Sequence, residues 1–307
     1  MTQIDGSVEA EEAAGAAAMG GAEAAPDPAG SSRRLGIGFW VSVVWLAVIV
    51  ILALAAPSLS IKSPNVSFIV PGERPPYSPS SRHLFGTDQN ARDQFSRVLY
   101  GARVSLTVGF SAIAFGMVVG GALGMIAGYF RGTVDRIISF VFLTLLSFPA
   151  LVLAILITAL LDRTLFTISA VIGILSIAPV GRVARATTIS FADREFVLAA
   201  KSLGASHTRI LVRELLPNVL IPMGAFALLG VAVAIVAEGS LAFLGLSVPS
   251  PQVSWGTIIV NASGTRDLQE SFFMAGLPIA VLFATVLALN FAGDRLRSYF
   301  DVKEISL

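Results

Sequence analysis

Side chains able to do chemistry are few in this 307-residue chain and poorly placed for catalysis. It has no cysteine, and its two histidines, His83 and His207, stand far apart. Thiolate and imidazole metal sets and Cys- or His-based nucleophile pairs are therefore not expected, and the redox compartment is left open. There is no GxxxxGK[ST] run and not even a Gly-Lys pair, so no Walker loop can cradle nucleotide phosphates. Asp88 and Asp93 suggest a cation site at first sight. Capping by Asp88 of a helix bearing Phe95, Val98 and Leu99 and ended by Gly101, together with pairing to Arg92, accounts for them without a metal. Glu238 stands apart because it follows about 23 uncharged residues. An ionisable group there reads either as a translocation or gating residue or as a carboxylate reaching the outer interface.

The densest charge in the hydrophobic part of the chain lies between Arg182 and Val219. Asp193 can accept from the free N–H groups of a helix start, Glu195 suits the first turn, and Gly204 supplies a left-handed end. The result is a helix of about ten residues, roughly 15 Å long. Phe196, Ala199, Ala200 and Leu203 fall on one side of it, with Arg194, Lys201 and Ser202 elsewhere. Ser206 caps a second short helix with Ile210, Leu211 and Leu215, which Pro217 kinks or ends. Periodicity alone leaves two readings open: a helix docking in another protein's groove, or an amphipathic helix on the lipid surface.

The elements positioning these residues follow from composition. Mean hydropathy is +0.79, with 55% hydrophobic and 13% charged residues, which indicates a bilayer environment. Six runs free of Asp, Glu, Lys and Arg are expected to span: Leu35 to Ile61, Val104 to Phe130, Ile137 to Leu161, Thr164 to Gly181, Leu215 to Ala237 and Ser271 to Gly293. Thr164 to Gly181 is the shortest. The fold class is thus all-α and membrane-integral, with about six transmembrane helices and one loop helix. Lys and Arg placement predicts both termini in the cytoplasm of a multi-pass protein of the cytoplasmic membrane. The expected organisation is a disordered tail over 1–34, a first span over 35–61, an external loop with an amphipathic helix over 62–103, a core over 104–293 containing the loop 182–216, and a cytoplasmic tail over 294–307. Ser32-Arg33-Arg34 and Ala53-Leu54-Ala55 resemble an export signal, but the apolar run is too long for a signal core, so an uncleaved first span is expected. Gly120, Gly124 and Gly128, with Gly109, Gly116 and Gly121, allow close helix packing. Phe142, Phe148 and Phe226 are read as packing or lipid-facing rather than path-lining.

Ala199, Ala200, Gly204, Leu216 and Pro217 match a loop signature of Glu-Ala-Ala, three residues, Gly, and a Leu-Pro about a dozen residues on; the segment resembles that of binding-protein-dependent ABC importer permeases. Leu198 occupies the signature's Glu position, with Glu195 one turn earlier. Phe85 to Leu106, with Ala91 in place of a usual Gly, Glu238 to Gly256, and Asn290 to Arg297 resemble segments of one permease type in the dipeptide, oligopeptide and nickel branch. The resemblance covers roughly residues 36–303. It implies a type I importer permease that pairs with a homologous second permease, two ATP-binding subunits carrying ATP and Mg, and an extracytoplasmic substrate-binding protein. The chain itself would sit among membrane lipid, bind no cofactor or nucleic acid, and catalyse nothing. The implied coupling residues are Asp193, Glu195, Phe196, Ala199, Ala200, Lys201, Gly204, Ala205 and Pro217. Short peptides are the implied cargo, with nickel or a glycoside as alternatives. A different class, the ion-coupled secondary carrier of small polar solutes, would place ionisable groups near the midplane of spans that here are almost uncharged. A membrane enzyme would need a nucleophile, base and metal constellation that the sequence does not offer.

Overall fold

The computed structural model describes residues 35–59, 61–264 and 272–305, with side chains described as far as 300; the expected tail over 1–34 lies outside the described residues. In chain order the helices are α1 (Gly36–Ala55), α2 (Gln94–Phe130), α3 (Gly132–Ser147), α4 (Ala150–Leu160), α5 (Leu165–Ala192), α6 (Glu195–Ser202), α7 (His207–Arg209), α8 (Leu216–Phe243), α9 (Trp255–Asn261) and α10 (Phe272–Ile305). A π turn, Ile210–Leu215, joins α7 to α8. Among the described residues five helices are long and apolar enough to cross a membrane, and α3 with α4 makes a sixth if that pair, bent by 83°, is one span. The bend follows from Pro149. Its ring drives the preceding residue out of the helical region, and Phe148 is accordingly extended at φ −86°, ψ 135°.

Four elements differ from the sequence reading. The helix expected to lie at the outer surface and end at Gly101 is instead the first part of α2, which runs unbroken to Phe130. Its cap is Asp93, which accepts from the Ser96 N–H at 3.0 Å, not Asp88. The Asp88 carboxylate accepts from the Asn90 and Arg92 N–H groups, each at 2.9 Å, and pairs with Arg92 Nε at 2.8 Å. Gly101 serves close approach: a Cβ there would lie 2.9 Å from Ile258 Cδ1 and 3.3 Å from Trp255 Cδ1 of α9. The helix expected to stop at Gly181 continues as α5 to Ala192. Arg185, beyond that stop, donates from Nη2 to Asp135 Oδ2 of α3 at 2.6 Å and also pairs through Nε with Oδ1. Pro217 does not end the helix; it lies in the first turn of α8, directly after the π turn, so of the two expectations a local distortion holds and a stop does not. The expected tail from 294 onward continues α10 to Ile305.

The centre of the fold is the contact between α2 and α5. A Cβ would lie 2.8 Å from Ser176 Cβ at Gly116, 2.8 Å from Ala184 Cβ at Gly124 and 2.8 Å from the Arg185 carbonyl oxygen at Gly128, while at Gly120 it would run into the Ile177 carbonyl. These four glycines, each four residues from the next, form one stripe of the helix, and the missing side chains bring two backbones into direct contact. Phe142 of α3 is buried against Gly181 of α5, beside the contact with α2. Phe148 is exposed, and Phe226 is half-buried against the core near α6.

At the end of α8 remote from α6, Glu238 is fully buried, which overturns the reading of a carboxylate reaching the outer interface. Its Oε2 accepts from Ser105 Oγ of α2 at 3.3 Å, and its Oε1 accepts from Ser247 Oγ. Ser105 Oγ in turn accepts from the Trp255 N–H at 3.1 Å. One carboxylate thus ties α2, α8 and the entry to α9.

Two outcomes follow for thermal unfolding of the purified protein. Gly124→Ala forces α2 from α5 and lowers stability by about 1–3 kcal/mol. Gly121→Ala, whose Cβ would meet nothing nearer than Met223 Cε at 4.0 Å, is neutral or stabilising, since Ala is the better helix former by about 1 kcal/mol. Glu238→Ala strips two buried hydroxyls of their acceptor and costs about 1–3 kcal/mol, and Glu238→Gln costs less because it keeps an acceptor and the side-chain volume. Equal behaviour of either pair contradicts these assignments.

Candidate functional site

The helix α6 is eight residues long and held at both ends. At its start Arg194 occupies the N-cap position and no side chain caps it. Asp193, expected in that role, instead terminates α5 and accepts from Arg131 Nη2 at 2.6 Å. The end has the geometry expected of Gly204, which takes φ +75°. Its N–H donates to the Lys201 carbonyl at 3.0 Å, and the Ala205 N–H donates to the Ala200 carbonyl at 3.0 Å. These are the two bonds of a Schellman motif, which needs a left-handed residue at the Gly204 position. Ser206 then caps the following turn, accepting from the Arg209 N–H at 3.4 Å.

One face of α6 is fixed to the body of the protein. Val197, fully buried, packs with Phe191 of α5, Ile210 and Leu215 of the π turn, and Val219 and Met223 of α8; Ala200 and Ala205 join the same cluster. Sequence reasoning missed Val197 as this anchor. Its signal was its place on the side opposite Ala199, where an apolar residue on a charged loop needs a partner. Ala200, grouped in the sequence with Phe196, Ala199 and Leu203, turns inward.

The other face is open and largely apolar. Phe196 is 36% exposed, Leu198 49% and Leu203 88%, with Ala199 exposed between them. Cations frame it: Arg194 lies 4.8 Å from the Phe191 ring centroid and Lys201 5.4 Å from that of Tyr129. The Tyr129 hydroxyl meets His207 Nδ1 at 2.8 Å, tying the end of α2 to α7. Glu195 and Lys201 are exposed at the two ends of α6, which matches the helix dipole. Pro217 lies outside α6, in the first turn of α8, and is itself exposed. The Glu238 cluster belongs to the remote end, and Gly120, Gly124 and Gly128 to the contact between α2 and α5. Among the described residues no group of three His, Asp or Glu side chains is placed to hold a metal. The arrangement is a short helix anchored on one face to the body of the protein and open and largely apolar on the other.

Comparison with known proteins gives the family. A chain of the MetNI methionine ABC transporter, solved in inward-facing conformations, superposes with a TM-score of 0.51 at 17% identity, over 67% of this chain and 97% of that one, a likeness of fold. The dipeptide transport system permease protein DppC of Alkalihalophilus pseudofirmus is 36% identical over 86% of this chain and 85% of its own. A putative peptide transport system permease protein of Brucella suis is 34% identical over 86% and 87%. The glutathione transport system permease protein GsiD of Pectobacterium atrosepticum is 35% identical over 73% and 74%. Residues 120–304 match the family described as binding-protein-dependent transport system inner membrane component. With that match over more than half of the chain, relatives 34–36% identical over as much as 86% of it, and a type I importer fold, the protein belongs to the family of binding-protein-dependent ABC importer permeases.

Proposed function

We propose that this permease moves short peptides inward and that the open face of α6 receives mechanical work from an ATPase subunit. The observation that carries the coupling assignment is the pairing of a buried anchor, Val197, with an exposed apolar row, Phe196, Ala199 and Leu203, on the same eight-residue helix. A surface helix with no partner gains nothing from such a row, whereas a helix set in another protein's groove buries it. Relatives named for dipeptide, peptide and glutathione transport support the cargo class.

In this reading the α6 end faces the cytoplasm, a second permease completes the path, and two ATP-binding subunits supply the nucleotide chemistry with ATP and Mg. A binding protein delivers cargo at the opposite end. Leu198 stands exposed where related loops carry Glu, so the contact at that position is apolar and Glu195, one turn earlier, supplies the charge. Closure of the ATPases shifts α6, and the cluster around Val197 passes the shift to α2, α5 and α8. The spans then exchange inward-open and outward-open states. Glu238 acts as an internal brace for the opposite end.

The test is made at Gly204. A Cβ there meets no atom within 4 Å, so substitution acts through backbone conformation alone. Gly204→Val imposes a β-branched residue on a left-handed position at a cost of about 1–2 kcal/mol. It is expected to leave the protein in the membrane while abolishing peptide uptake and co-purification of the ATPase. Gly204→Asn, a residue that tolerates that conformation, retains a large part of both. Unchanged uptake in Gly204→Val refutes the coupling role.

A further inference from the structure

The end of the molecule remote from α6 holds a cavity that the coupling role does not use. At 37 residues α2 is about 55 Å long, so its first turn lies a full membrane thickness from α6. Two adjoining hollows there, about 430 Å³ and about 150 Å³, share Asn90, Arg92, Arg97 and Asn261 as lining. Arg163, on the link between α4 and α5, lines the larger, while Asp88 and Gln94 line the smaller. The larger falls within the range of small-ligand sites, about 300–1,000 Å³. The charged side chains lining them are three guanidinium groups and one carboxylate, so the cavity is cationic.

The polar groups are only partly satisfied from within. Arg97 is 2% exposed, and its Nη1 donates to the Pro64 carbonyl at 3.3 Å. Its Nε lies 3.4 Å from Asp88 Oδ2, a distance for charge attraction, but it makes no hydrogen bond. Gln94 is 1% exposed; its Nε2 donates to the Met274 carbonyl at 2.5 Å, while its Oε1 accepts nothing. Arg92 Nε is already given to Asp88 at 2.8 Å. Buried polar atoms without partners are rare because each forfeits its hydration. Here a donor and an acceptor are left over beside the same cationic hollow. A ligand that complements them carries an anionic group for the guanidinium donors and an N–H for Gln94 Oε1. Guanidinium forks match carboxylate geometry, and a peptide presents a carboxylate and N–H groups within a few ångströms of each other.

We propose that this cavity is a transit site for cargo peptides that reads their carboxyl terminus, with Arg97 and Arg163 as the cationic side and Gln94 Oε1 as acceptor for a peptide N–H. The proposal rests on the peptide-import reading and adds a recognition step within the permease, downstream of the binding protein.

The test uses the purified full-length chain in detergent, with its unfolding midpoint followed against dialanine, dialanine amide and inorganic phosphate. Dialanine is expected to raise the midpoint in a dose-dependent manner, since a ligand that binds only the folded state stabilises it. Dialanine amide and phosphate should raise it little. Arg163→Gln should increase the half-saturating dialanine concentration about tenfold, the loss of one charge-assisted contact, with Arg163→Lys in between; because Arg163 Nη1 also donates to the Gly245 carbonyl, each variant is read against its own peptide-free midpoint. Equal shifts with dialanine amide overturn carboxylate recognition. Equal or larger shifts with phosphate overturn the peptide assignment in favour of a phosphate or lipid headgroup. If dialanine has no effect while the assembled importer accumulates it, the cavity assignment fails and the transport reading stands. If the assembled importer accumulates no short peptide, both fail.

Discussion

Everything else in this permease depends on how closely two helices approach. Along Gly116, Gly120, Gly124 and Gly128 the backbone of α2 lies directly on that of α5, with no side chain of α2 between them. Helix association inside a bilayer gains little from the hydrophobic effect, since lipid tails are as apolar as the helices, so such backbone contact is a main source of cohesion. The result is a two-helix unit long enough to reach from the cationic cavity to the α6 surface. Its ends are fastened differently. Near α6 the fasteners are ion pairs, Arg131 with Asp193 and Arg185 with Asp135. At the other end Glu238, Ser105 and Trp255 form a buried hydrogen-bonded knot.

That division suits a transport subunit. The exposed pair of Arg131 with Asp193 is weak and easily rearranged, whereas a buried carboxylate with hydroxyl donors is costly to disturb. The α6 surface sits at the adaptable end. It rests on Val197 and on the π turn Ile210–Leu215, an irregular helical element that is rare and often marks functional positions. The same cluster includes Met125 of α2, Val180 and Ala184 of α5, and Val219 and Met223 of α8. Three long helices therefore converge behind one short one, giving a contiguous packed route from α6 into the membrane domain.

Much of this was legible in the sequence. Apolar run length located the spans, four-residue spacing marked the glycine stripe, and Gly204 announced its left-handed turn. Rules that treat each residue alone missed the rest. Arg182 closes the uncharged run that defines the fourth span, yet the helix continues past it, and Arg185 pairs with Asp135, fifty residues away. Gly101 read as a terminator, but it makes room for Ile258 and Trp255, which no local pattern reveals. Burial of Glu238 depends on Ser105, 133 residues distant. Asp88 and Asp93 both suit a cap; Asp88 is taken up by Arg92, four residues on, as expected, and by Arg97, which leaves the cap to Asp93. Ala91 shows the same tension. It holds φ +56° in a buried loop where related segments carry Gly, a conformation that disfavours a side chain.

The central claim is that the open face of α6 contacts an ATPase subunit in the assembled importer. The chain contains no cysteine, so a single Leu203→Cys, at the most exposed apolar position of that face, gives a background-free probe. Cross-linking in membranes with a short thiol-to-amine reagent should join this chain to the ATPase subunit in high yield, while a cysteine at Val197, on the buried face, should give little product. Efficient labelling of Leu203→Cys by lipid-phase reagents, with no product containing the ATPase, would contradict the account and identify α6 as a helix lying on the membrane surface.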